Sequence, residues 1–120
     1  MPKKTNSTLQ MESDELYQKA ELCFQYGELV KAGSLLRTAI NKNPHNSNAH
    51  RALGQVLQEK GKFTSSTAAY AASTMLNSTL DIGILELAES YERQKSFQQA
   101  EAFYKKILNG STQIHRVLIG

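Results

Sequence analysis

The chain has no tryptophan, two prolines and one cysteine in 120 residues. So little proline suits long helices better than an all-β chain with many turns. A lone Cys23 excludes a disulfide framework and any multi-cysteine zinc or iron–sulfur site. No run of 18 apolar residues occurs, so no membrane-spanning helix is expected. The opening Met1-Pro2-Lys3-Lys4-Thr5-Asn6 has charge but no apolar segment behind it, so a secretory signal is not expected either. A cytoplasmic location follows, with the nucleus also open. The sequons at Asn6, Asn77 and Asn109 then carry little meaning. No Gly-x-x-x-x-Gly-Lys phosphate loop is present. What remains is one domain's worth of chain with 40% apolar residues, enough for a modest core.

The sequence repeats. Gly27 and Gly61 lie 34 residues apart, and sliding the chain on itself by 34 aligns much more. Ala20, Gly54 and Ala88 form a column of small residues, and Ala32, Ser66 and Ala100 form another. Cys23, Leu57 and Tyr91 form a larger apolar column, as do Leu29, Phe63 and Phe97, and Leu36, Tyr70 and Tyr104. Three units follow, 13–46, 47–80 and 81–114, without insertions. Within unit two, Ala49, Leu53, Val56 and Leu57 recur at helical steps. Phe63, Thr67, Tyr70, Thr74 and Leu76 mark a second helix less cleanly. Gly27 and Gly61 sit where the first helix of a unit ends. Pro44, among Asn43, Asn46 and Asn48, stops the second, and Ser47 or Asn48 could cap the next. The spacing predicts six helices of about a dozen residues in three antiparallel pairs. Small columns let the helices of a pair approach, large columns fill the gaps, and each pair covers its neighbour. Residues 1–12 are polar and read as a flexible tail.

The unit of apolar or aromatic, small, aromatic, Gly, aromatic, small, aromatic, small, Pro resembles the tetratricopeptide repeat. Unit one carries Leu16, Ala20, Cys23, Gly27, Leu29, Ala32, Leu36, Ala39 and Pro44 at the marker places. Unit two carries Leu53-Gly54, Leu57, Gly61, Phe63, Tyr70 and Ser73. Unit three carries Leu87-Ala88, Tyr91, Phe97, Ala100 and Tyr104. The resemblance covers residues 13 to about 114 and implies an all-α superhelix. There are departures: Lys19 replaces a leucine, His50 an aromatic, Lys95 the turn glycine, Ser78 and Thr112 the turn proline, and Ile107 a small residue. The family's usual covering helix is also missing. Residues 115–120 are left as a short end, and Ile114, Val117, Leu118 and Ile119 suit a cover. Three outcomes stay open there: a short helix covers the last repeat, the chain is a fragment of a longer array, or a second molecule covers it.

Catalytic chemistry finds little support. His45 falls in a turn, His50 at a packing position and His115 near the end, with no ligand spacing between them. Cys23 sits on a packing column with no base patterned beside it. No cofactor, metal or enzymatic activity is expected. The run Thr64-Ser65-Ser66-Thr67 reads as a helix start with capping hydroxyls, or as a phosphosite. Net charge is +3, but by segment it is +1 for residues 1–12, then 0, +2 and −1 for the three units, with +1 from Arg116. No basic stripe with interleaved aromatics emerges, so nucleic acid is not an expected partner.

The family geometry implies a concave groove lined by the first helix of each pair. Its groove-facing places are Asp14, Tyr17, Glu21, Phe24 and Gln25, then Asn48, Arg51, Gln55, Gln58 and Glu59, then Ile82, Leu85, Glu89, Glu92 and Arg93. Acids outnumber bases there, and Tyr17, Phe24, Ile82 and Leu85 offer apolar anchors. Family members that clamp the C-terminal carboxylate of heat-shock proteins use lysine, asparagine and arginine. The corresponding places here carry Tyr17, Glu21, Ile82 and Glu86, so no such clamp is expected. The implied function is an adaptor, scaffold or chaperone-like module that binds a basic, apolar partner segment or helix in this groove. The alternative is a structural protein that self-assembles into a homo-oligomer through its uncovered last helix.

Overall fold

A computed structural model describes the backbone of residues 4–77 and 81–119 and the side chains of residues 4–77 and 83–108. Among the described residues there are six helices: α1 (Asn6–Gln25), α2 (Leu29–Lys42), α3 (Ser47–Glu59), α4 (Phe63–Leu76), α5 (Asp81–Arg93) and α6 (Phe97–Ile119). They pack as the pairs α1–α2, α3–α4 and α5–α6, and α2 meets α3 as α4 meets α5. Stacked pairs make an elongated body of 58 × 32 × 23 Å.

The turn between the helices of a pair repeats with the sequence. Gly27 and Gly61 both take φ of +76°. Beside them the same bond closes each helix: Glu28 N–H to Cys23 O, Lys62 N–H to Leu57 O, and Ser96 N–H to Tyr91 O, each at 2.8 Å. Lys95 adopts the same left-handed conformation at φ +64° without a glycine's freedom.

The small columns are the helix crossings. Ala20, Ala32, Ala39, Ala49 and Ala88 are all but fully buried, and Leu36 and Val56 fill the space between them. Burying a leucine such as Leu36 contributes about 1.5–3 kcal/mol. At Gly54 an added Cβ would lie 3.0 Å from the Tyr70 ring, so α3 and α4 approach here only because the side chain is missing. Ser66 Oγ uses the same approach to donate to Gly54 O at 2.7 Å. Apolar order fades along the column of Leu29, Phe63 and Phe97: Leu29 is half-buried, but Phe63 and Phe97 are exposed.

Four expectations need correction. Helix α1 starts at Asn6, inside the stretch read as a tail. Thr5 caps it by accepting from Thr8 N–H, and Glu12 pairs with both Lys4 and Lys42 at 2.7 Å, so polar residues are ordered by charge rather than by burial. The cap of α3 is Asn46, not Ser47 or Asn48. Asn46 Oδ1 accepts from Ala49 N–H while Nδ2 donates to Ser13 Oγ and Asp14 Oδ1. Ser66 and Thr67 are buried and do not cap α4: Thr67 Oγ1 meets Ser90 Oγ at 2.7 Å, so neither is open to modification. Finally, α6 runs unbroken to Ile119, so residues 115–120 are not a separate covering helix. Thr112 stands where unit one has the helix-stopping Pro44, and nothing there ends the helix. The side chains of Ile114, Val117, Leu118 and Ile119 lie outside the described residues.

Candidate functional site

Residues of α1, α3, α4 and α5 line a cavity of about 260 Å³: Phe24, Gln55, Gln58, Glu59, Tyr70, Glu86, Glu89 and Arg93. A smaller cavity of about 130 Å³ lies one repeat earlier, between α1, α2 and α3, and its walls include Glu21, Phe24, Gln25, Leu36 and Gln55. The 34-residue shift turns the second lining into much of the first: Gln25 becomes Glu59, Leu36 becomes Tyr70, Ala52 becomes Glu86 and Gln55 becomes Glu89. The same architectural place thus carries one carboxylate, Glu21, in the first interval and three, Glu59, Glu86 and Glu89, in the second.

Two cross-helix contacts fix the acidic cavity. Arg51 Nη2 lies 2.7 Å from Glu86 Oε1, tying α3 to α5. Arg93 Nη1 donates to Gln58 Oε1 at 3.1 Å across the same gap. Glu86 holds the Arg51 guanidinium above its ordinary pKa. Tyr70, 4% exposed, is raised to about 12 by burial first and by the Glu86 charge second. Tyr17 is likewise pushed up to about 12, by burial and by its hydrogen bond to Glu21 at 2.5 Å. Both phenols are therefore neutral near pH 7.

The expected groove residues do not stay together, and Tyr17 is half-buried against the core and lines none of the cavities. Glu21, Phe24, Gln25, Gln55, Gln58, Glu59, Glu89 and Arg93 line the two cavities. Asp14 sits at the α1–α3 junction, bonded to Asn46, and Asn48 and Arg51 line a smaller cleft of about 70 Å³ with Ser73, Thr74 and Gly83. Glu92 belongs instead to a depression at the C-terminal end, with Phe97, Ala100, Tyr104 and Leu108. Leu85 is exposed and lines none of these cavities, and the side chain of Ile82 lies outside the described residues. Sequence reasoning left Tyr70 out of the groove because it sits on a packing column. Its hydroxyl, where unit one has Leu36, was the available signal, although Tyr104 shares it in unit three. Glu86 stood at a clamp position and was not carried into the groove.

Among the described residues no three histidine, cysteine, aspartate or glutamate side chains form a metal-ligand group. No helix there is long and apolar enough to cross a membrane.

The chain superposes on the crystal structure of MamA with a TM-score of 0.79 at 20% identity, covering 88% of this chain and 61% of that one. A second MamA protein structure gives 0.80 at 20% identity, with 88% and 57% covered. The first TPR of Spaghetti (RPAP3), bound to the HSP90 peptide SRMEEVD, gives 0.76 at 14% identity, with 92% and 96% covered. The fold is a tetratricopeptide-repeat fold. This is the architecture that the 34-residue columns resemble. The tetratricopeptide-repeat stack here spans about three-fifths of the MamA chains it matches. No protein-family model matches the sequence, and no curated protein matches it.

Proposed function

We propose that this chain is a non-catalytic, cytoplasmic protein-binding module, an adaptor or scaffold whose concave groove takes a partner segment rich in basic and apolar residues. The acidic cavity carries this reading: Glu86 is paired with Arg51, and the carboxylates of Glu59 and Glu89 outnumber the remaining cation, Arg93, beside the Phe24 and Tyr70 rings. Acidic walls attract a basic segment and select against an acidic one, and aromatic anchors supply the binding energy. The test is a Tyr17→Ala plus Phe24→Ala variant assayed with partner segments selected from a peptide library. Binding is lost while helicity stays within the wild-type range; binding that survives both substitutions refutes the groove.

Two TPRs of Spaghetti bind the HSP90 peptide SRMEEVD in their structures. In this chain Glu21 and Glu86 stand at the corresponding groove places, and carboxylates repel a peptide ending in acids. The same peptide is expected to show no saturable binding here; a measurable dissociation constant would overturn the charge argument.

A second reading, self-assembly, has its own observation. Leu22 is 55% exposed on α1, yet its repeat equivalents Val56 and Ser90 are 1% and 2% exposed. At the other end Phe97 and Leu108 are each 64% exposed on α6. A second copy stacked in repeat register would cover α6 with α1, Leu22 taking the place of Val56. Light scattering tests this: an oligomer broken by Leu22→Asp or Val117→Asp supports it, and a monomer at every concentration refutes it.

A further inference from the structure

The acidic cavity is more polar than the fold requires. At the equivalent place one repeat earlier, Leu36 and Ala52 build the same wall without a charge or a hydroxyl. In the second interval those places hold Tyr70 and Glu86, and the void is twice as large. Tyr70 is the telling group. It is 4% exposed, its ring is held over Gly54, and its hydroxyl has no hydrogen-bond partner among the described residues. The oxygen is not among the fully buried polar atoms, so it stays within reach of water and is free to accept from a ligand. Two carboxylates on the same cavity, Glu59 and Glu89, also have no ion-pair partner among the described residues, whereas Glu86 is committed to Arg51 and Arg93 to Gln58.

We infer that this cavity is the receptor for one arginine side chain of the partner segment, its guanidinium held by Glu59, Glu89 and the Tyr70 oxygen. The inference rests on the groove reading above. A guanidinium presents five N–H donors in a plane, so it can meet two carboxylates and a phenol oxygen together. An ammonium is a point charge and meets this spread of acceptors less well. Phe24 also lines the cavity, and an aromatic ring there attracts a cation. The smaller cavity one repeat earlier, walled by Leu36, Ala52 and Val56, would take an apolar neighbour of that arginine.

The experiment is a titration of the full ¹⁵N-labelled chain with N-acetyl-arginine methylamide, followed by amide chemical shifts. Saturable shifts are expected at Gln55, Gln58 and Glu89. The uncharged isostere N-acetyl-citrulline methylamide should bind at least tenfold more weakly. Glu59→Gln plus Glu89→Gln should weaken the arginine probe by at least tenfold, and Tyr70→Phe by about threefold. Both glutamates are at least partly exposed, so these variants keep the fold, which circular dichroism verifies. Equal binding of both probes, an unaffected double variant, or no shift at the cavity overturns the inference. Selected peptides separate it from the groove reading. If peptides without arginine bind the groove as tightly as those with it, the groove stands and the arginine receptor falls. If the arginine probe saturates the cavity but no peptide binds, the receptor stands and the groove reading falls.

Discussion

Asn46→Asp exchanges one good helix N-cap for another, so an argument confined to the helix expects no loss of stability. The structure predicts otherwise. Asn46 Oδ1 accepts from Ala49 N–H at 3.1 Å, and an aspartate keeps that bond. Its Nδ2 donates to Ser13 Oγ at 2.9 Å and to Asp14 Oδ1 at 3.2 Å, and an aspartate can make neither bond. Ser13 is fully buried, and its own proton is committed to Ala39 O at 2.7 Å, so two acceptors would face each other. Losing that buried bond costs about 1–2 kcal/mol. Asp14 is exposed, and a second carboxylate beside it in a water-like dielectric costs about 1 kcal/mol. Extra negative charge at the α3 N-terminus offsets about 0.5 kcal/mol. The net loss is about 2 kcal/mol, a fall in Tm of roughly 6–10 °C for a chain of this size. Like charge raises the folded-state pKa of the new carboxyl above its unfolded value, so the charge part of the penalty is present above the folded value and fades as pH falls towards the unfolded one. Asp14→Asn in the same background should recover about 1 kcal/mol, because it removes only the repulsion. Urea and thermal unfolding followed by circular dichroism compare both variants with the wild type. An Asn46→Asp protein within about 0.5 kcal/mol of wild type at neutral pH would refute this account of the α1–α3 junction.

Other sites give simpler expectations. Lys95→Gly relieves a side chain from φ +64° and should stabilise the third pair by about 1 kcal/mol, read as a rise in urea midpoint. Gly54→Ala gains about 1 kcal/mol of helix propensity but presses a methyl group 3.0 Å from the Tyr70 ring, at an overpacking cost of about 1–3 kcal/mol. A net loss of about 1 kcal/mol in urea unfolding is expected, and a gain would mean that Tyr70 yields freely. Glu12 is held below its ordinary pKa by hydrogen bonds from Lys4 and then Lys42. A depressed folded pKa gives stability that is present above the unfolded value and lost as pH falls through the folded one. Glu12→Gln should therefore lower stability slightly at neutral pH, leave it little changed at low pH, and so flatten the acid limb of the stability–pH curve, all measurable by thermal unfolding.

The helix pairs were legible because packing depends on side-chain size, and size repeats in the sequence. Ala20, Gly54 and Ala88 are small for one reason, the close approach of the helices of a pair, and that reason recurs every 34 residues. Polar partnerships carry no such period. Asn46 caps α3 because it can also reach Ser13 and Asp14 on α1, a choice no local cap rule contains. Helix α1 begins early because Glu12 finds Lys4 and, across the pair, Lys42. Helix α6 runs on because a proline is absent, and an absent stop signal is harder to read than a present one.

The groove shows the same division in a single residue. As a member of a large packing column, Tyr70 fills space over Gly54 just as Leu36 fills it one repeat earlier. Repetition made that role readable and concealed the other, since a column is recognised by what its members share. What distinguishes the second interval is what they do not share: the hydroxyl of Tyr70 and the carboxylates of Glu59, Glu86 and Glu89 in place of Leu36, Gln25, Ala52 and Gln55. In a repeat stack the common residues build the body, and every pair needs them to cover its neighbour. Stacking does not require the departures, so these are where a partner's chemistry can be specified.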